Sequence, residues 1–138
     1  ILRLVRGEDA GTAKEDAEKL PQQVVMDARA EVLKVFVAPE LEKYFVALIA
    51  ATRRPDKFGP NLKKWIQVGA SPRGTLALDR AARAHAWLQG RAHATPDDVR
   101  AVAHDCLRHR VILSYEAAAD GVSSEQVVTE VIKQVAVP

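Results

Sequence analysis

The stretch Gly69-Ala70-Ser71-Pro72-Arg73-Gly74 gathers the residues of this chain best suited to hold an anion. Ser71 has the chemistry of a helix N-cap, a hydroxyl able to accept from an orphan amide, and Pro72 suits the first helical position, where no amide donor is needed. Arg73 then falls in the first turn, where a cation opposes the positive end of the helix dipole by roughly 0.3–1 kcal/mol unless an anion lies nearby. Free amides and a guanidinium together make a receptor for phosphate or carboxylate. A solvated arginine on a surface turn fits the same residues, and local energetics do not separate the two readings.

Other reactive residues carry less. The spacing Gly69-x-x-x-x-Gly74 imitates a phosphate-binding loop, but Thr75-Leu76 stands where Lys and Ser/Thr are required, and no apolar strand precedes it. Without that lysine, and without a strand-end carboxylate for magnesium, the chain lacks the parts for nucleotide hydrolysis by the usual route. No catalytic residue is therefore assigned within it. His85, His93, His104 and His109 show no zinc-ligand spacing, so no metal site is expected. Cys106 lies on an apolar stripe and reads as a small core residue. Arg53 and Arg54 close a predicted helix and complement its dipole, though the pair could also reach an anion. Arg80 and Arg83 follow Arg73 on roughly the same helix side, as a basic track or a solvated face.

The elements that must position these residues read as helices. Val25, Ala28, Val32 and Phe36 give an amphipathic helix over about 22–36, with Val35-Phe36-Val37 able to finish extended. A second helix starts at Pro39, carries the stripe Leu41, Tyr44, Phe45, Leu48, Ile49 and Thr52, and ends before Pro55. A long ordered loop follows over 53–69, with a turn or two around Leu62 to Ile66. The third helix spans Pro72 to about Gln89 with Gly90 at C′, and Leu78, Ala81, His85 and Leu88 could share a face. The fourth has Thr95 as cap and two acids in its first turn. The fifth opens on a capping box of Ser123 and Gln126 and runs to about Val135. Gly7 to Lys19 is polar without period and reads as a linker. The expected fold is all-α, a bundle of about five helices with one long inter-helix loop.

Composition narrows the class. A chain of 138 residues, 48% apolar, suits one globular domain. No run approaches the roughly 18 apolar residues of a membrane span, and the start lacks a signal peptide's order, so a cytoplasmic protein is expected. The single cysteine excludes an internal disulfide, and a net charge of +2 argues for no nucleic-acid partner. The first residue is Ile1, which suggests a piece of a longer chain.

Several motifs in order then carry a resemblance. Ala51-Thr52-Arg53, Gly69-Ala70-Ser71-Pro72-Arg73, Leu88-Gln89-Gly90-Arg91, Thr95-Pro96-Asp97-Asp98-Val99 and Leu107-Arg108-His109-Arg110 resemble the C-terminal lid domain of MoxR-type AAA+ ATPases, and the insertion from Lys57-Phe58-Gly59 to Trp65-Ile66 resembles the MoxR branch proper. The resemblance implies that Arg73 is the sensor-2 residue, contacting the ATP γ-phosphate, with Ser71 and Pro72 shaping the helix start beneath it. It further implies that residues 1–19 are the tail of an ATPase core plus a hinge, that 20–138 form the lid, and that the core carries ATP, Mg2+ and the arginine finger. The isolated segment would bind neither and hydrolyse nothing. Implied partners are that core, the neighbouring subunits of a hexameric ring and a von Willebrand A-type protein. The implied role is chaperone-like or regulatory, in the maturation of complexes or of metalloenzymes such as methanol dehydrogenase. Gly74 departs from the alanine often found after the arginine, and Ala38 from a serine cap. A reading from a different class is a self-contained helical adaptor that binds a partner protein through the third and fourth helices.

Overall fold

The structure is a computed structural model and describes residues 19–138. The tail and hinge expected over 1–19 lie, apart from Lys19, outside the described residues. Seven α-helices occur among the described residues, at Gln22–Val32 (α1), Pro39–Arg53 (α2), Pro60–Trp65 (α3), Arg73–Leu88 (α4), Pro96–Leu107 (α5), Tyr115–Ala119 (α6) and Ser124–Gln134 (α7). Two short strands, Ile66–Val68 (β1) and Ile112–Leu113 (β2), pair antiparallel. The all-α class therefore holds, with short α3 and α6 added to the five expected helices. Residues 31–138 form the compact unit that carries the site.

Helix α2 forms as its stripe predicts. Leu41, Tyr44, Phe45, Leu48, Ile49 and Thr52 are all buried, joined in the core by Leu78 of α4, Val99 and Leu107 of α5, and Val127, Val128 and Val131 of α7. Its N-cap, Ala38, has extended backbone angles and makes no side-chain capping bond, as its type dictates. The loop over 53–69 is more structured than expected: a 3-10 turn at Pro55–Lys57, then α3, then β1. Strand β1 is held by β2 in the register Ile66 to Leu113 and Val68 to Ile112. Ser114 closes that ribbon, its N–H donating to Trp65 O (2.9 Å) and its hydroxyl to Lys64 O (2.6 Å).

Three assignments of faces change. Helix α1 ends at Val32, four residues short of Phe36, and no residue in it is buried. Phe36, expected in its stripe, is 62% exposed, while Val35 and Val37 are buried. The chain is extended there, so neighbours alternate sides, and Phe36 bridges to His93 instead. In α4 the buried face is Gly74, Leu78, Ala82 and Ala86, a strict i, i+4 row; Leu88, expected on that face, is exposed. Beyond Leu78 the row is alanine, Ala82 and Ala86, which lets α5 approach closely.

Candidate functional site

The site is built where the end of α2 meets the start of α4. Thr52, the last buried residue of α2, uses its hydroxyl twice. It donates to Ile49 O (2.8 Å) and accepts from Ala70 N–H (3.0 Å), so the loop before α4 is bonded directly to α2. Gly69 sits against the same turn: a Cβ there would overlap the Thr52 carbonyl and stand 2.7 Å from the Arg53 amide nitrogen. Only glycine fits that approach. Ala70 is fully buried, and the next three residues, Ser71, Pro72 and Arg73, turn out to solvent.

The helix start differs in detail from expectation. Pro72 already has helical angles (φ −56°, ψ −21°), as its ring favours, but no bond to the Ser71 hydroxyl caps the helix among the described residues. The first turn is closed by backbone alone, Gly74 N–H donating to Ser71 O (2.8 Å) and Thr75 N–H to Pro72 O (3.0 Å). Ser71 therefore serves through its carbonyl, and its hydroxyl stays available. Gly74 is buried, and a Cβ on it would come 2.7 Å from the tip of Ile49, so this position packs α4 against α2.

Arg73 is exposed at the first residue of α4, and the first turn contains no acid. Beside it, a groove of about 400 Å³ runs between α2 and α4, lined by Val46, Ile49, Ala50, Arg53 and Arg54 on one side and Pro72 and Thr75 on the other. Arg53, Arg54 and Arg73 form no ion pair among the described residues. The sequence left Arg53 and Arg54 between helix capping and anion contact; the fold brings them to the same groove as the Arg73 helix. The groove thus combines an apolar wall of Val46, Ile49, Ala50 and Pro72 with two guanidinium groups, and no carboxylate is among its lining residues.

The basic track from Arg73 through Arg80 to Arg83 does not form. Arg83 bonds Asp79 (2.9 Å) and donates to the carbonyls of Val35 (2.9 Å) and Leu33 (3.3 Å), so it ties down the chain after α1. Helix packing, and not an anion, accounts for it.

The far end of α4 is organised by a residue the sequence placed only as a dipole-complementing acid. Asp98 is fully buried. It accepts from Arg91 through both guanidinium nitrogens (2.5 and 2.7 Å), meets His85 Nδ1 at 2.6 Å, and accepts from the Thr95 N–H (2.7 Å) and hydroxyl (2.8 Å). The guanidinium, followed by the histidine and the Thr95 donors, holds its carboxyl well below the usual carboxylate range against the opposing effect of burial. Gly90 (φ 71°) supplies the left-handed turn that returns Arg91 N–H to Ala86 O (2.9 Å), which brings Arg91 to Asp98. The signal available in sequence was the capping pair Thr95 and Asp98, three residues apart.

The AAA lid domain family matches residues 62–131. Chaperone MoxR1 of Mycobacterium tuberculosis is 44% identical over 104 residues, covering 75% of this chain and 28% of that protein. Protein MoxR of Methylorubrum extorquens is 45% identical over 80 residues, 54% of this chain and 23% of that protein. A crystal structure of an ATPase candidate from Cytophaga hutchinsonii matches with a TM-score of 0.81 at 38% identity, over 84% of this chain and 36% of that one. The chain spans about a quarter to a third of the length of these relatives. The matched region runs from α3 into α7 and includes the loop that presents Arg73, so the chain belongs to the AAA lid domain family and is a lid of the MoxR type.

Proposed function

We propose that this lid senses nucleotide through Arg73, as the sensor-2 residue of an AAA+ ATPase whose core holds ATP and Mg2+. The observation that carries the reading is an exposed guanidinium, without an ion pair among the described residues, at the start of a 16-residue helix whose entry is anchored three residues earlier by the buried, Thr52-bonded Ala70. A cation in that position is unfavourable to the isolated helix and becomes favourable when an anion arrives. The groove beside it is lined by Arg53 and Arg54 and by no carboxylate, which suits a phosphate oxygen and leaves Mg2+ to carboxylates elsewhere. Bound ATP would supply the γ-phosphate acceptor. Arg73 then bonds across to the core and holds the lid closed; once hydrolysis removes that acceptor, α4 and the rest of the lid are released.

A hydrogen bond to a charged group contributes about 1.5–3 kcal/mol, enough to bias a two-state lid roughly tenfold to hundredfold. Arg73→Ala in the full-length protein should therefore lower ATP turnover by about tenfold to hundredfold while the lid stays folded. Unchanged turnover would remove the assignment. In the wider setting the lid works with its own core and neighbouring subunits in a hexameric cytoplasmic ring. The chaperone in the name of the Mycobacterium tuberculosis relative supports a client-remodelling role, and a von Willebrand A-type partner and metalloenzyme maturation belong to the same reading.

A further inference from the structure

We infer that Thr52 is the positioning residue that aims Arg73, through the bond between its hydroxyl and the Ala70 amide. The inference rests on the reading of Arg73 as the phosphate sensor. Thr52 is 1% exposed, and it and Asp98 are the buried polar side chains among the described residues. A threonine in a helix commonly satisfies its hydroxyl on a carbonyl of its own preceding turn, and Thr52 does so at Ile49. The second bond is different in kind, because it reaches 18 residues along the chain to the loop that delivers Arg73.

Between that bond and the guanidinium little freedom remains. Gly69 is pressed against the Thr52 carbonyl, Ala70 is buried, the Pro72 ring fixes its own φ, and two backbone bonds close the first turn. A displacement at Ala70 is therefore passed to the base of the Arg73 side chain. Positioning errors of about 1 Å at a reacting group can cost on the order of a hundredfold in rate. Replacing the hydroxyl by a methyl in Thr52→Val keeps the side-chain shape and leaves the buried Ala70 N–H without its acceptor.

The test is a double-mutant cycle in the full-length ATPase, reading ATP turnover at saturating ATP together with the thermal midpoint. Thr52→Val should lower kcat by about tenfold, Thr52→Ser should stay within about twofold of the parent, and Thr52→Val should add nothing to Arg73→Ala. An equal further drop on the Arg73→Ala background would overturn the inference, since Thr52 would then act on general stability. Parent-like turnover of Thr52→Val beside an impaired Arg73→Ala would also overturn it while leaving the sensor reading intact. Parent-like turnover of Arg73→Ala would overturn both. If the thermal scan shows that Thr52→Val does not fold, Thr52→Cys, of similar volume and weak hydrogen-bonding power, is carried through the same cycle with the same three outcomes.

Discussion

The two ends of α4 solve opposite problems. At the C-terminal end, charge is enclosed and satisfied: the buried Asp98 is bonded by Arg91, His85 and Thr95, and Gly90 turns the chain to bring Arg91 there. At the N-terminal end, charge is displayed: Arg73 stands in solvent, with neither acid nor capping hydroxyl in the first turn. The same helix is thus fastened at one end and left electrostatically incomplete at the other. Enclosed charge and displayed charge are separated by the length of one element, so a perturbation at each end should register in a different measurement.

Breaking the fastened end should have the largest effect. Asp98→Ala leaves Arg91 and His85, with side chains 32% and 34% exposed, without their carboxylate. The expected loss is about 3 kcal/mol, the low end for a broken buried pair because both partners regain some water, measured by denaturant unfolding of this chain. A loss under about 1 kcal/mol would mean that the cluster is not the fastening.

Acid should weaken the same end more gradually. The folded-state pKa of Asp98 is depressed, so its contribution is present above the ordinary carboxylate range near 4 and is lost as pH falls below it. Unfolding curves from pH 6 down to 2 should steepen for the parent and flatten for Asp98→Asn, which cannot titrate there. Equal slopes for both proteins would contradict the assignment. The displayed end should show the smallest change, and with opposite sign. Arg73→Ala removes a cation from a helix N-terminus and should stabilise this chain by about 0.3–1 kcal/mol. Measurable destabilisation would show that Arg73 is a structural residue, and the contrast between the two ends would fail.

How much of this was legible in sequence follows a physical divide. Caps and stops depend on near neighbours, so Thr95 with Pro96, Ser123 with Gln126, and Gly90 were readable, as was the stripe of α2. Arg73 was readable as a candidate because its misfit with the dipole is local. What escaped depends on residues distant in sequence. Thr52 looked like one more core position until its hydroxyl met Ala70. Arg83 looked like part of a basic track until the chain after α1 came under it. The ribbon of β1 and β2 is too short for any periodic signal.

The Asp98 cluster also bears on how the lid assembles. Asp98 joins residues only 7 and 13 positions away, Arg91 and His85, and so welds α4 to α5 with little chain to close. The ribbon, by contrast, pairs Val68 with Ile112 and must enclose both of those helices within its loop. Short closures cost less entropy and form sooner. The α4–α5 pair should therefore act as the nucleus of the lid. In native-state hydrogen exchange its amides should be the last to open, while those of β1 and β2 exchange through earlier, smaller openings.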